Sequence, residues 1–189
     1  DAVKQLISNY YKLPGSNDTA RVDDQDWRMT LALRPSPLVL EMLPALKGTD
    51  SVRGNISFNS KEKKLQLQLK APQIQYGEQT IHQLQLDADT KDSGINYSLA
   101  VADAGKQGVQ LYRSSVSGKV TDNKIFTTVL LQDNKSKDRY RLSGILTPQD
   151  PGMQFVFNPD SLMLNYELWT VPADNFIRYD SSGLLVKSL

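Results

Sequence analysis

The chain of 189 residues is long enough to bury a core as one ordinary domain, and it carries no cysteine. That excludes a disulfide framework and a thiolate metal site, and leaves folding indifferent to the redox state of the compartment. With 22 Lys and Arg against 21 Asp and Glu the formal net charge is +1, which gives no long-range field to gather nucleic acid or anionic headgroups, so no nucleic-acid partner is expected.

From the N-terminus, Val3, Leu6, Ile7, Tyr10 and Tyr11 recur at three- and four-residue steps and predict a helix, ended by the turn sequence PGSND. Residues 1–22 therefore read as a helical segment ahead of a single β domain over 23–189. Asp23, Asp24 and Asp26 lack the alternating oxygen ligands and closing Glu of a calcium loop, and read as a solvated turn. A strand is expected over 27–33. In PSPLVLEMLPALKG, Ser36 caps a second short helix near 37–47 and Pro37 suits its first turn. Val39, Met42, Leu43 and Leu46 form its stripe, Lys47 and Gly48 close it, and Pro44 kinks it.

Beyond residue 50 the sequence alternates with period two, which predicts strands near 52–58, 65–71, 80–88, 95–102, 108–113, 116–120, 125–131, 139–146, 153–157, 162–168 and 176–179. The links are short and polar, and Asp122-Asn123 suits a two-residue hairpin turn because both side chains tolerate positive φ. Consecutive strands should pair antiparallel in a long meander. Strands of seven to nine residues at ~3.3 Å per residue would make a sheet roughly 25–30 Å wide. In KKLQLQLKAPQIQYG the apolar parity is odd through Leu65, Leu67, Leu69 and Ala71 and even at Ile74 and Tyr76, so a bulge or bend is expected at Pro72. A loose repeat places Gly54, Gly118 and Gly144 at the start of strand-turn-strand units, where a glycine lets a sheet bend. Alternation alone favours a closed sandwich or small barrel over an open groove, since an apolar row normally faces another sheet.

Little of the sequence carries chemistry. The sole histidine, His82, shares parity with Leu84 and Leu86 and reads as a satisfied core or rim residue. Asp87, Asp89 and Asp92 lack a facing carboxylate partner. Gly105 and Gly108 bracket a turn that leads into a strand, which is no phosphate cradle. Lysines in SKEKK and NKSKDRYR read as a solvated surface guarding an edge. Asn-x-Ser/Thr occurs at Asn17, Asn55, Asn96 and Asn134, two of them within strands, and Asp18-Thr19-Ala20, Asp50-Ser51-Val52 and Asp160-Ser161-Leu162 are similar to a periplasmic O-glycosylation signal. In LNYELWTVPADNFIRYDSSGLLV, Trp169, Pro172, Asn175 and Tyr179 mark a corner, with Trp169 expected to plug the end of the core. No enzyme, metal or cofactor is implied. Exposed aromatics at Tyr112, Tyr140 and Tyr179 would suit a second reading, an adhesive β-sandwich of a bacterial surface that binds protein or glycan.

SPLVLEMLPALKG feeding VRGNISF, the strand-Pro-strand unit LQLKAPQIQYGEQTIHQLQL, the repeats VSGKVTDNKIFTTVLLQD and RYRLSGIL, and above all WTVPADNFIRYDSSGLLV resemble the TamB-like family, relatives of AsmA, in its Bacteroidetes form. The resemblance implies a long antiparallel meander curled into an open, taco-like groove, mainly β, with one or two short helices near the N-terminus. It implies a periplasmic segment of a longer, membrane-anchored parent coupled to an Omp85-type outer-membrane barrel, moving phospholipid or assembling outer-membrane proteins. No apolar run approaches the ~20 residues of a spanning helix, so membrane contact is expected only through other parts of that parent. The groove lining expected on this basis comprises Leu65, Leu67, Leu69, Ile74, Tyr76, Leu84, Leu86, Ile95, Tyr97, Leu99 and Val101, facing phospholipid acyl chains.

Overall fold

A computed structural model describes residues 2–12, 23–34, 36–42, 45–106 and 109–189, with the side chains of 38–40 and 109 left aside. Asn17, the Asp18-Thr19-Ala20 signal, Leu43, Pro44 and Gly108 lie outside the described residues, as does the side chain of Val39. The chain forms a helix α1 (Ala2–Ser8), β1 (Asp26–Leu33), a short helix α2 (Pro37–Met42), β2 (Leu46–Thr49), β3 (Val52–Asn59), β4 (Lys64–Tyr76), β5 (Gln79–Lys91), β6 (Gly94–Lys106) and β7 (Val109–Thr121). Then follow β8 (Lys124–Gln132), β9 (Asp138–Pro148), β10 (Met153–Phe157), β11 (Leu162–Leu164), β12 (Glu167–Trp169), β13 (Phe176–Asp180) and β14 (Gly183–Lys187).

All 14 strands belong to one antiparallel sheet ordered β1-β3-β4-β5-β6-β7-β8-β9-β10-β13-β14; β2 extends the β4 edge and the β11/β12 hairpin extends the β9 edge. The sheet does not close, and this single open layer overturns the closed sandwich or small barrel that alternation alone favours. Hairpin turns set the meander: Asp122 and Asn123 both have positive φ (50° and 58°), as expected, and Asp92 and Ser93 repeat the pair (50° and 58°).

Three expectations are corrected. Lys47 and Gly48 lie inside β2, where Thr49 pairs with Ile74, because the β4 edge offers unpaired backbone groups beyond the end of β3. The two strands expected over 108–120 are one 13-residue strand, as are β4, β5 and β6, so the sheet is ~43 Å wide there rather than 25–30 Å. The single strand expected over 162–168 folds back as β11 and β12 about Asn165 and Tyr166, both at positive φ (50° and 73°).

Along β4 the half-buried positions are Leu65, Leu67, Leu69 and buried Ala71, then Pro72 and Gln73 are both exposed and Ile74 is half-buried. The parity change expected at Pro72 is therefore present. It is not confined to one strand. Regular pairing skips Pro72 and Gln83 between β4 and β5, and Ala102 and Arg113 between β6 and β7; Gln83 and Arg113 adopt positive φ (52° and 37°), and β7 slips against β8 between Tyr112 and Ser115. A seam of irregular backbone thus crosses four neighbouring strands. Because β4 to β7 change together, their mutual register is the same on both sides of it, and the one-residue slip falls between β7 and β8.

Helix α1 shows that the sheet curls. Ala2 and Leu6 are buried against Phe58 of β3, with Trp27, Leu65, Val3 and Tyr10 around them. Five residues beyond Leu6, the Tyr11 hydroxyl reaches the Met153 sulfur of β10 at 3.7 Å, and the Asn123 turn is tied to Tyr10 O and Lys12 N at 2.9 and 2.8 Å. In a flat sheet seven inter-strand steps of ~4.8 Å would hold β3 and β10 ~34 Å apart, whereas five residues of helical turn advance only ~8 Å. The two walls must therefore approach each other, and α1 bridges them at the end that carries the β3–β4, β7–β8 and β9–β10 turns. Leu6→Ala is expected to cost about 2 kcal/mol in urea unfolding, the low end for a buried Leu because a site at an open end can relax; no measurable loss would show that α1 does not brace the walls.

Candidate functional site

Residues opposite each other in an antiparallel ladder point to the same face, so the register reads out the faces directly. One row runs Leu31, Gly54, Leu69, Leu86, Leu99, Val116, Val129 and Leu142 across eight strands. One step nearer α1 runs Met29, Ile56, Leu67, Ala88, Tyr97, Gly118, Thr127, Gly144 and Phe157. Nearest α1, Ile95, Val120, Ile125, Leu146, Phe155, Ile177 and Val186 form a third, and Leu65, paired with Phe58, joins it where Thr90 Oγ1 accepts from the Leu65 N–H at 2.9 Å. On the opposite face Gln68, Asp87, Ser98, Ser117, Thr128 and Ser143 form one continuous polar row, beside a short apolar stretch, Phe126-Ile145-Val156.

The apolar rows are only partly covered. Among the described residues the buried hydrophobic side chains are Ala2, Leu6, Tyr11, Phe58, Ile95, Phe157 and Val171, toward the α1 end and the corner, and Ala71 beside the seam. Met29 is 47% exposed and Leu99 39%, and Leu67, Leu69, Leu86 and Val116 are half-buried. Small residues let this face be concave. Tyr97 lies over Gly118, its ring carbon 2.8 Å from where a Cβ would stand, and Phe155 lies over Gly144 in the same way at 2.4 Å. Ala88, Gly118 and Gly144 relieve the crowding that bending imposes on inward side chains.

The expected lining residues sort cleanly. Leu65, Leu67, Leu69, Leu86, Ile95, Tyr97 and Leu99 belong to the three rows above. Leu84 pairs with buried Ala71, and Val101 pairs with Ser114 beside the seam. Ile74 belongs to a separate set beyond the seam, Ile74-Ile81-Ala104-Leu111. Tyr76 sits at the sheet end beside Leu46 and Gln79 and is 58% exposed. The rows extend well past the expected set, to Met29 and Leu31 on one side and to Val129, Leu142, Phe155 and Ile177 on the other. The same alternation marks those residues in the sequence; the pairing that aligns them does not show until strands are in register.

At the corner, the plug is Asn175 rather than Trp169. Asn175 is 2% exposed and Trp169 52%. The Asn175 amide takes the place of a missing strand partner: Oδ1 accepts from the Phe157 N–H at 2.8 Å, and Nδ2 donates to Phe157 O at 3.1 Å and Pro172 O at 2.7 Å. Buried Val171 accompanies it, while Tyr179 is 62% exposed. His82 Nδ1 lies 2.7 Å from Asp103 Oδ1, which also accepts from Gln110 Nε2 at 3.1 Å. These are cross-strand polar contacts of half-exposed groups. Among the described residues no group of three His, Asp or Glu could hold a metal ion.

At the end of the sheet opposite α1, Tyr112, Tyr140 and Tyr166 line one cleft with Gln110, Asp133 and Arg139. Asp133 accepts backbone hydrogen bonds from Lys135 and Lys137 at 2.8 and 2.9 Å and the Tyr166 hydroxyl at 2.9 Å. The Lys137 N–H above all holds the Asp133 carboxyl below its ordinary range, and the bond to Asp133 pushes the Tyr166 phenol up. Comparison of the chain with protein-family models, with curated proteins and with solved structures finds no match.

Proposed function

We propose that this chain is a segment of a TamB-like, periplasm-spanning protein that holds phospholipid acyl chains along the concave face of its sheet. The observation that carries the reading is the set of largely apolar rows, seven to nine strands long, on a curled sheet that no second layer covers among the described residues. Aliphatic rows with few convergent polar groups suit a fluid, unspecific chain better than a shaped small molecule. With each buried methylene contributing ~0.8 kcal/mol wherever it lies on such a face, an acyl chain can slide with little change in energy. Holding and passing on a lipid requires no bond to be made or broken, which accords with a face free of convergent polar chemistry. In this reading the parent chain is anchored in the inner membrane, and the outer-membrane partner is an Omp85-type barrel.

Two measurements test this. Gently purified protein extracted into organic solvent is expected to release phospholipid detectable by mass spectrometry. A fluorescent fatty acid is expected to bind the wild type and to bind Leu69→Glu/Leu99→Glu at least ~10-fold more weakly, since two carboxylates in the central row must be desolvated by the chain. Protein that carries no lipid and binds no fatty acid overturns the proposal.

A further inference from the structure

Two cations stand at the end of the sheet opposite α1 with their charges uncommitted. The Lys137 ammonium lies 4.9 Å from the Tyr166 ring centre, and the Arg139 guanidinium lies 5.3 Å from that of Tyr140 and 5.9 Å from that of Tyr166. Arg139 uses Nε on the Asn165 side chain at 3.3 Å, and among the described residues neither Lys137 nor Arg139 has a carboxylate partner. The nearby carboxylates are engaged elsewhere: Asp133 by two backbone N–H groups and the Tyr166 hydroxyl, and Asp138 by Arg141 at 3.1 Å. Both cations are exposed.

The position matters as much as the charge. Tyr140 pairs with Leu131 and Leu164, and two residues along β9 Leu142 enters the long row through Val129 and Val116. The cations therefore stand where the apolar face runs out into solvent, at the end left open by α1. Aromatic rings with an apolar body and a wet edge, next to basic side chains, are the arrangement that meets the polar–apolar boundary of an amphiphile. We infer that Lys137 and Arg139, floored by Tyr140 and Tyr166, bind a phosphate group, that of a lipid headgroup whose acyl chains lie along Leu142 and the row behind it. A planar guanidinium with both terminal nitrogens free suits two phosphate oxygens, and the lysine adds a second charge. This inference rests on the acyl-groove reading for its tail and on the cation pair for its head.

The test uses the full chain, three probes and one double variant. The probes are dihexanoyl phosphatidic acid below its micellar concentration, dihexanoylglycerol, which has the same tails without phosphate, and inorganic phosphate, each titrated by calorimetry. Lys137→Gln/Arg139→Gln is expected to lose ~10-fold or more in affinity for the phosphatidic acid, as removal of charge-assisted hydrogen bonds requires, while its affinity for dihexanoylglycerol stays unchanged. Lys61→Gln, at the α1 end, should change neither. Undiminished binding of phosphatidic acid by the double variant overturns the phosphate site. Inorganic phosphate binding as tightly as the lipid supports the cation pair but overturns the headgroup as its source. Failure of the acyl-groove reading shows separately, as wild type that does not bind dihexanoylglycerol.

Discussion

Asn175→Ala is expected to destabilise the protein by about 3 kcal/mol, because it strands the Phe157 N–H and the Phe157 carbonyl that its buried side chain satisfies. The Phe157 N–H, the Phe157 carbonyl and the Pro172 carbonyl all bond to one side-chain amide, the last also accepting the Asn175 N–H at 3.1 Å, at the point where β10 ends and just ahead of β13. Urea unfolding followed by far-ultraviolet circular dichroism would measure the loss, and a cost below about 1 kcal/mol would show that water replaces the amide without penalty. Asn175→Asp sharpens the test. Its carboxylate can still accept from Phe157 N–H but presents no proton to the two carbonyls, so at neutral pH it should fare no better than Ala. Protonation restores one donor, so the deficit of the Asp variant should narrow as the pH is lowered; an unchanged deficit would argue that geometry, rather than the missing donor, sets the cost.

Gly118→Val is expected to be comparably severe, at about 3 kcal/mol, in the range of overpacking in a tight site. A Cβ at Gly118 would stand 1.9 Å from the Phe126 carbonyl oxygen and 2.6 Å from the Tyr97 hydroxyl. The first of these is backbone of the neighbouring strand and cannot swing away. Hence Tyr97→Leu should not rescue Gly118→Val, and rescue would show that the ring rather than the strand is the obstacle. Gly77→Ala is the contrast: nothing lies within 4 Å of its Cβ and only its φ of +60° opposes the change, which predicts a cost of about 1 kcal/mol. The same glycine that cannot be filled is also one that lets the apolar face be concave, so the stability measurement bears on the shape of the groove.

Much of this was legible from local patterns. Period-two alternation marks the strands from Val52 to Phe157, polar two-residue turns such as Asp122-Asn123 make them antiparallel neighbours, and the odd-to-even shift at Pro72 announces an irregularity that the exposure pattern of β4 displays. What misled was also local. Lys47 and Gly48 resemble a helix end but lie in a strand, because β4 runs on past β3 and its edge must be paired. Leu162 to Leu168 alternates without a turn residue beyond Asn165, yet Tyr166 takes a positive φ there, its N–H held by the Arg139 carbonyl at 3.0 Å. Trp169 looks like the plug because it is large and apolar, whereas the buried position calls for an amide that can both donate and accept.

The sequence by itself determined the class of structure and the two chemically different faces, since these follow from side-chain parity and turn chemistry within a few residues. Tertiary structure alone decided which residues line up across strands, that the irregularity at Pro72 continues through Gln83, Ala102 and Arg113 as one seam, and that α1 ties β3 to β10 across a curled sheet. It also decided that Lys137 and Arg139 meet Tyr140 and Tyr166 where the apolar face ends. Each of these depends on register between strands, and register is set by the summed pairing of a whole ladder rather than by any stretch that can be read on its own.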